Sequence, residues 1–568
     1  RTSIATLNPY NFGYSLYVYG NFPMTVTRYL AEWATGICDA ATAGAGQPPA
    51  WCSHTYSGYD GIQLVGRFLS AVVDLVAVFF TFLIARRLYD WRAGLFAALL
   101  LALAVMPIQQ SHFFTMDNWA TAFVTAGIYA AVRAATIGDG EPRWRLRWWA
   151  LFGLALGLAA ASRVNVAPLA VVIVVSAVIW LARRSQYSVS SKQYSVFSNQ
   201  NRDLERAVVG IVLAAAVSII TFRLAQPYAF TDAQMVRDAA TAAGETPNAF
   251  VVALKSIIGL NPAFLANMAE IQRLQAPEAS FPPAIQWVDR PAILFPLSNM
   301  ILYGMGLTAG LFAWFAVAWA AWRGVSSLGK KVRRTQESAT HWSYPEWMLH
   351  AIPLTWTLLY FLFMGTRWVK SVRYFLPIYP TLFVLAGWAI VQLWKWAVVS
   401  RSVGQWSVGQ LSAGEGDARL ATRHAPLPRP LGEGWGEGSA TRHAPLPHPL
   451  GEGWGEGSAT RHAPRATRIR QALVIGLAAV VVVPSLLWAI MYTQIYREPM
   501  TRIAASQWIY DNVPSGATLL YDTADGQTRE LHLPLKGMEF AYQGAPLTLN
   551  FTLPEDGLIR AVRFNYLS

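Results

Sequence analysis

The stretch SHFFTMDNWATAF, residues 111–123, places one carboxylate, Asp117, at a polar break between two long apolar runs. The run before the break covers residues 93–110, and the run after it covers residues 117–135. About 20 apolar residues are needed to cross the hydrocarbon core of a bilayer as a helix, and each run is close to that length. The stretch therefore predicts a short turn between two membrane-spanning helices.

The same alternation of apolar blocks and polar breaks predicts an all-α polytopic membrane protein. Hydrophobic residues make up 54% of the 568 residues and charged residues only 14%, which is the composition of a membrane protein. Ten spanning helices are predicted, at residues 64–85, 93–110, 117–135, 147–161, 164–182, 207–225, 294–322, 347–365, 374–398 and 471–493. Only Ser162 and Arg163 separate the fourth from the fifth, so one broken helix is the alternative interpretation.

Basic residues predict which helix ends face the cytoplasm, because Lys and Arg are in excess on that side. When the ten helices alternate, one side collects Arg86, Arg87, Arg92, Arg143, Arg145, Arg147, Arg183, Arg184, Lys330, Lys331, Arg333 and Arg334. This clustering accounts for the formal net charge of +13, so no nucleic-acid partner is predicted. The opposite, extracytoplasmic side receives residues 1–63, the turns at 111–117, Arg163 and 366–373, the segment 226–293, and the tail after 494.

The predicted domains follow from these two sides. Residues 1–63 are part of a first extracytoplasmic loop, and residues 64–398 are the transmembrane core, with an outer loop at 226–293 and a cytoplasmic insert at 185–205. Residues 399–469 are a low-complexity cytoplasmic insert, 470–494 the last spanning helix, and 495–568 part of a small extracytoplasmic α/β or β domain. The second insert repeats RHAPLPRPLGEGWGEGSAT, whose Gly and Pro content predicts disorder, and no chemistry is assigned to either insert.

The outer loops carry features that favour either structure or binding. Cys38 and Cys52 are the only cysteines, and they form either a disulfide closing a small loop or two free thiols. The segment LNPYNFGYSLYVYGNFP, residues 7–23, is rich in Tyr and Asn, as expected of a sugar-binding surface or of an interfacial aromatic belt. The sequence QPYAF at 226–230 opens a loop long enough to act as a lid.

Asp117 is the candidate catalytic carboxylate, and His112 and Asn118 in the same turn are candidate substrate contacts. The structural alternative is that Asp117 caps the helix that begins there, because Asp is a preferred N-cap residue and favours the positive end of the helix dipole. The two roles are compatible.

Four further residues predict a phosphate site. Arg367, Lys370 and Arg373 are spaced three apart, hence on one helical face, and lie beside Tyr374 on the outer side, where cations oppose the positive-inside pattern. Interfacial snorkelling is the alternative explanation. Arg and Lys bind phosphate oxygens well, so we expect these residues to contact substrate.

Two other charged positions lie within apolar surroundings. Arg163 in AASRVNVAPL is another candidate contact for phosphate or sugar, because ionisable residues at membrane depth are commonly functional. Arg67 and Asp74, seven residues apart on the first predicted helix, are interpreted as a structural polar pair.

These pieces together resemble the GT-C fold of integral-membrane glycosyltransferases, close to the superfamily of dolichyl-phosphate-mannose protein mannosyltransferases and aminoarabinose transferases. The resembling segments are LNPYNFGYSLYVY, GRFLSAVVDLVAVFFTFLIARRLYD, SHFFTMDNWATAF, GLALGLAAASRVNVAPL, RLAQPYAF, RYFLPIYPTLFVLAG and ASQWIYDNVPSGA. In that family one acidic residue lies in the first outer loop and a second in the next outer turn. Asp117 matches the second, and the first is expected ahead of Arg1, so the chain is expected to be a fragment that lacks it.

The resemblance implies a glycosyltransferase that moves a sugar from a polyprenyl-phosphate donor to a protein, lipid or glycan acceptor on the extracytoplasmic face of the cell or cytoplasmic membrane. The absence of a Gly-rich nucleotide loop in the sequence agrees with a lipid-linked donor. No Cys/His cluster indicates zinc, no resident cofactor is predicted, and a divalent-cation requirement stays open. The alternatives are a transporter or flippase of a lipid-linked or anionic substrate, and a non-catalytic membrane scaffold.

Overall fold

A computed structural model describes most of the chain outside the second insert. The described residues are 17, 20–52, 55–136, 145–190, 196–276, 282–329, 333–334, 342–343, 345–399, 465–497, 501, 504–505, 508, 517–532 and 552–564. They divide into two compact units, Arg1–Ser485 and Leu486–Ser568. The repeat at 423–460 and nearly all of the Tyr-rich segment 7–19 lie outside the described residues.

The first unit is a helical bundle, and several of its helices coincide with the predicted apolar blocks. In chain order, the described helices are α1 (Asn21–Ala45), α2 (Tyr59–Leu88), α3 (Trp91–Leu103), α4 (Val105–Ser111), α5 (Met116–Ala135), α6 (Arg145–Ser162), α7 (Ala170–Ser190), α8 (Val196–Ala225), α9 (Ala233–Ala242), α10 (Ala249–Ile258), α11 (Pro262–Leu274), α12 (Pro282–Ile285), α13 (Leu294–Asn299), α14 (Leu307–Ser326), α15 (Glu346–Gly365), α16 (Tyr379–Val399) and α17 (Arg465–Gln494). The last helix, α17, extends past Ser485 into the second unit. Short 3-10 helices cover Ala50–Cys52, Val164–Leu169, Pro227–Ala229 and Val372–Ile378, and a π-helix covers Met300–Gly304. Two-residue strands β1 (Arg333–Arg334) and β2 (Trp342–Ser343) pair antiparallel.

Six of the described helical segments are long and apolar enough to cross a membrane, or seven if the bent pair α3 and α4 is one span. The six are Gly61–Leu88, Val164–Arg184, Asn201–Ala225, Glu346–Gly365, Val372–Val398 and Arg465–Gln494. The chain is therefore an integral membrane protein. The structure does not establish ten spans: the predicted ranges 117–135 and 147–161 are helical but fall outside the six, and 294–322 is interrupted by the π-helix.

The core of the bundle surrounds α16. In the candidate span that overlaps this helix, Val372–Val398, 94% of the most apolar stretch is buried. Gly387 lets α16 approach α3 closely, because a Cβ at this position would lie 2.3 Å from the carbonyl oxygen of Ala93. The start of α3 is fixed by Asp90, whose carboxylate accepts from the backbone N–H groups of Arg92 at 2.9 Å and Ala93 at 3.0 Å. Such a cap satisfies N–H groups that have no partner within the helix.

The described residues before α2 form the long helix α1, and a disulfide joins Cys38 on this helix to Cys52. This finding decides between the two interpretations of the cysteines. Arg28 donates to the carbonyl oxygen of Ser57 at 3.0 Å, and the N–H of Ser57 donates to Thr35 at 3.0 Å. These bonds hold the end of the loop against α1.

The insert predicted at 185–205 is largely helical in backbone, because α7 continues to Ser190 and α8 begins at Val196. In the second unit, β3 (Ala517–Thr523) lies between β4 (Thr528–His532) and β5 (Gly557–Phe564) in an antiparallel sheet. Leu519 is buried on this sheet and packs against Leu531 and Leu553. The described part of the tail therefore contains strands, as the predicted α/β or β domain requires, whereas residues 533–551 lie outside the described residues.

Candidate active site

Asp117 and Arg163 form a buried ion pair at one end of the bundle. Asp117 lies in the first turn of α5 and is only 3% exposed. Its Oδ1 accepts from Nη1 of Arg163, whose side chain is 21% exposed. The carboxylate at the predicted turn is therefore neutralised by a cation from the next polar break, 46 residues further along the chain.

Asp117 is not the N-cap of its helix. α5 begins at Met116, and Thr115 occupies the cap position with extended backbone angles. The Thr115 hydroxyl donates instead to Oε1 of Gln110 at 3.1 Å. The capping interpretation of Asp117 is therefore wrong, since its carboxylate faces the guanidinium of Arg163. Its position in the first turn still favours a negative charge next to the helix dipole.

Arg163 is held at a break between α6 and the following 3-10 helix. Its backbone is extended, with φ −149° and ψ 119°. Pro168 has no N–H to donate and disfavours an α conformation in the residue before it, so α6 cannot continue as a regular helix through this region. Gly20 packs against the same break, where a Cβ would lie 2.1 Å from the carbonyl oxygen of Ala161. The residue before α1 thus lies directly against the end of α6, next to Arg163.

The ring of Tyr374 lies next to two guanidinium groups. Cζ of Arg163 is 4.4 Å from the ring centroid, and Cζ of Arg373 is 5.4 Å from it. Both distances fall within the range of cation–π attraction. The hydroxyl of the fully buried Tyr360 on α15 donates to the backbone carbonyl of Tyr374 at 3.1 Å. This bond fixes the 3-10 helix that carries both Arg373 and Tyr374.

The three predicted phosphate contacts have no acidic partner. Arg367, Lys370 and Arg373 form no ion pair with a carboxylate in the part of the chain that the structure describes. Nε of Arg373 is buried and finds no hydrogen-bond partner there. A buried cationic N–H without an acceptor is costly, so this position favours an anionic ligand.

These three cations do not share one helical face, and that prediction is wrong. α15 ends at Gly365, and residues 366–371 form a non-helical turn before the 3-10 helix begins. Arg367 packs over Phe363 at 4.5 Å. Lys370 is 4% exposed and donates to the carbonyl oxygen of Trp368 at 3.0 Å. Burial lowers the pKa of Lys370 below its ordinary range, because a desolvated ammonium is disfavoured.

His112 and Asn118 bond to other parts of the bundle. Nδ1 of His112 is 2.7 Å from the carbonyl oxygen of Ile108. Asn118 donates to the carbonyl oxygen of Ser70 at 3.4 Å, so its side chain points to α2. The ion pair and the two cation–π contacts join Asp117 with Arg163, Tyr374 and Arg373.

The predicted polar pair on the first spanning helix is also wrong. No ion pair joins Arg67 to Asp74 among the described residues. Seven residues span two helical turns, a rise of about 10.5 Å. Side chains at that separation share a face without meeting.

Two residues near the Arg163 turn were not singled out from the sequence. Oε1 of Gln226 accepts from the backbone N–H of Asn21 at 2.6 Å, which ties the end of α8 to the start of α1. Both residues are buried, and Oδ1 of Asn21 finds no partner in the described structure. Gln226 lies in the quoted QPYAF segment and Asn21 in the Tyr- and Asn-rich segment 7–23, but only the packing shows that the two residues bond to each other.

Asn165, two residues after Arg163, carries another buried polar atom that lacks a hydrogen-bond partner in the described structure. Oδ1 of Asn165 is buried without a hydrogen-bond partner among the described residues, and Nδ2 is 3.8 Å from Sδ of Met364. The site therefore combines guanidinium groups, an aromatic ring and unsatisfied amide oxygens, which suit a phosphorylated and hydroxyl-rich ligand. Within the described ranges, no group of three or more His, Cys, Asp or Glu side chains is arranged to hold a metal ion.

Residues 60–197 match the model of the dolichyl-phosphate-mannose-protein mannosyltransferase family. This segment contains both members of the Asp117–Arg163 pair, and the match confirms the predicted resemblance over these residues. The chain thus resembles, in this segment, a family of membrane glycosyltransferases. No significant match was found among curated proteins.

Two solved structures are similar to the chain at low sequence identity. The oligosaccharyltransferase of Archaeoglobus fulgidus in the apo form is 14% identical, with a TM-score of 0.42 over 88% of this chain and 50% of that chain. ArnT of Cupriavidus metallidurans bound to undecaprenyl phosphate is 14% identical, with a TM-score of 0.36 over 82% of this chain and 69% of that chain. The chain spans about half the length of the oligosaccharyltransferase. TM-scores of this size do not by themselves establish a common fold.

Proposed function

We propose that the protein is a glycosyltransferase that transfers a sugar from a polyprenyl-phosphate donor to an acceptor on the extracytoplasmic face of the membrane. The observation that carries the proposal is the family match over residues 60–197, combined with the buried pair Asp117–Arg163 inside the matched segment. The family's name specifies a sugar linked to a lipid phosphate. The site supplies the cations that such a donor requires.

The donor phosphate is assigned to Arg163 and Arg373, which both lie next to the ring of Tyr374, with Lys370 and Arg367 as further cationic contacts. In the transfer, the acceptor oxygen attacks the anomeric carbon, the bond from that carbon to the phosphate oxygen breaks, and the lipid phosphate leaves with the electron pair. Negative charge grows on the departing phosphate in the transition state, so guanidinium groups held in place beforehand lower the barrier. The unpartnered Nε of Arg373 supports this assignment.

Asp117 is assigned to the sugar side of the site, where it holds Arg163 in place. The Asp117 carboxylate is buried and in direct contact with the Arg163 guanidinium, so its assigned role is to orient that guanidinium. The acceptor proton is assigned to the departing lipid phosphate, whose newly freed oxygen can hold it. This assignment refines the catalytic role predicted for Asp117, and it agrees with its match to the second acidic residue of the family.

The extracytoplasmic orientation rests on the distribution of basic residues. The clusters that include Arg86, Arg147 and Arg183 lie at the helix ends opposite to the Asp117 turn in the alternating arrangement of spans, and such clusters favour the cytoplasm. Mannose is the sugar named by the family description, and a protein, lipid or glycan is the acceptor class.

The test is turnover of a radiolabelled polyprenyl-phosphate sugar by the full-length gene product in membranes. Arg373→Ala should reduce turnover by about 10- to 100-fold, the loss expected when a charged hydrogen bond worth about 1.5–3 kcal/mol is removed. Arg86→Ala, which removes an exposed cation next to Phe82, should leave turnover unchanged. Unchanged turnover in both Arg373→Ala and Asp117→Asn would contradict the roles assigned here.

A transporter or flippase gives a different outcome in the same preparation. It would move the labelled lipid across sealed vesicles without releasing the sugar from the phosphate. A non-catalytic scaffold would do neither.

A further inference from the structure

We propose that α10 lies in the headgroup interface of the bilayer, with one apolar face against the acyl chains. This face consists of Phe250, Leu254, Ile257 and Ile258, which are 73%, 44%, 59% and 60% exposed. The proposal adds a membrane-contact surface to the outer loop and holds whether or not the protein is a transferase.

The four side chains form a single stripe along the helix. Their spacing of four, three and one residues places them on one side of an α-helix. The neighbouring face of α10 is different: Val252 is buried, and Val251 and Lys255 line a cleft of about 1150 Å³ between α9 and α10. A helix with one exposed apolar face and a polar flank is typical of helices that lie in the plane of the interface.

Hydrogen bonds hold the end of α10 at the end of a spanning helix. Arg223, in the last turn of α8, donates to the carbonyl oxygen of Ser256 at 3.1 Å and to that of Pro227 at 3.1 Å. The span that includes Arg223 ends at Ala225. The guanidinium also lies 4.9 Å from the ring of Phe230. The last turn of α10 is therefore fixed where α8 leaves the membrane.

Two backbone bonds fix the same junction. The N–H of Thr231 donates to the carbonyl oxygen of Gly259 at 2.8 Å, and the N–H of Asn261 donates to that of Ala229 at 3.0 Å. Leu224, next to Arg223 on α8, is 76% exposed and belongs to the candidate span. The C-terminal end of the apolar stripe is thus bonded next to Arg223, whose chain neighbour Leu224 is an exposed apolar residue of the candidate span.

This attachment identifies the bilayer as the occupant of the stripe. A second copy of the chain or an acceptor polypeptide would have to displace lipid from a surface that the fold already holds at the membrane boundary. Burial of exposed apolar area is favourable, and acyl chains are the apolar phase at that position.

Site-specific fluorescence can test the proposal because the chain has only two cysteines, and these are joined in a disulfide. A cysteine introduced by Ile257→Cys can therefore be labelled selectively with the environment-sensitive dye NBD. The labelled full chain is reconstituted in vesicles of phosphatidylcholine and phosphatidylglycerol. Glu245→Cys, at the exposed and polar end of the cleft, provides the matched control.

The label at residue 257 should lie roughly 5–10 Å below the headgroups. Its emission should be blue-shifted, quenched by lipids that carry a doxyl group near the headgroup, and protected from aqueous iodide. The label at residue 245 should show the opposite pattern. Equal iodide quenching at both positions would overturn the proposal, as would protection of residue 257 from both quenchers, which indicates cover by protein.

Phe250→Cys provides an independent second position at the other end of the stripe. Its label should be quenched by the same lipids to a similar degree, because a helix in the plane of the interface keeps both ends at one depth. Lipid quenching at residue 257 combined with full iodide access at residue 250 would contradict the proposed orientation.

Discussion

Replacing Arg163 with Gln should destabilise the protein more than replacing Asp117 with Asn, although the two residues form one ion pair. Arg163→Gln leaves a carboxylate without its cation in a residue that is 3% exposed. Loss of one partner from a buried pair costs about 3–5 kcal/mol. Asp117→Asn leaves a guanidinium that is 21% exposed and still 4.4 Å from the Tyr374 ring, so its cost should be about 1.5–3 kcal/mol.

The double variant Asp117→Asn/Arg163→Gln should cost less than the sum of the single variants by about 0.5–3 kcal/mol, the usual coupling between contacting residues. The assay is reversible unfolding of the purified protein in mixed micelles, with the four free energies compared under one condition. Glu270→Gln, which removes one partner of the exposed pair with Arg273, serves as a control and should change the midpoint far less. Equal costs for the two single variants, with an additive double variant, would refute the buried pair.

Three further outcomes follow from single contacts. Tyr360→Phe removes the hydroxyl that donates to the Tyr374 carbonyl and should lower the free energy of unfolding by about 0.5–1.5 kcal/mol, measured in the same micelles. Cys38→Ser/Cys52→Ser opens a loop of sequence separation 14 and should cost about 3 kcal/mol relative to the disulfide-bonded parent protein. The reduced parent protein is the control and should behave like the variant. Burial lowers the pKa of Lys370 below the usual range for Lys, so binding of a phosphate analogue should weaken as pH rises through that lowered pKa. Lys370→Arg should abolish this pH dependence. The measurement is a binding titration from pH 7 to 10.

The sign of the Lys370 effect on stability is opposite to its effect on binding. In the folded chain the ammonium is disfavoured by burial, so the unfolded chain binds more protons between the lowered and the ordinary pKa. Stability should therefore rise with pH across that window. A fall in stability there, absent from Lys370→Arg, would contradict the burial of this side chain.

The apolar blocks predicted the positions of the helices because their length and composition are local properties. The blocks 64–85, 164–182, 207–225, 347–365, 374–398 and 471–493 correspond to the six candidate spans. The count of ten was not established because four predicted blocks are not among the six. Blocks 117–135 and 147–161 are helical but are not candidate spans, block 93–110 is bent, and block 294–322 is interrupted by the π-helix. A bend of 59° between α3 and α4 depends on packing, and no periodicity reveals it.

The composition of the site was predictable, but its pairings were not. Asp117 and Arg163 were singled out separately because each is charged next to apolar runs, yet their ion pair joins residues 46 apart and depends on how α5 meets the α6 break. The spacing of Arg367, Lys370 and Arg373 predicted a helix face, but α15 ends at Gly365. Local spacing is informative only while the helix continues.

The central claim is that Arg163 and Arg373, beside the ring of Tyr374, bind the phosphate of a polyprenyl lipid. The most direct measurement is equilibrium binding of radiolabelled polyprenyl phosphate, without a sugar, to the purified protein and to Arg373→Ala and Arg86→Ala. We expect Arg373→Ala to weaken binding by about 10-fold or more, since a charged hydrogen bond contributes about 1.5–3 kcal/mol, and Arg86→Ala to bind like the parent protein. Equal affinities in all three proteins would contradict the assignment of this site.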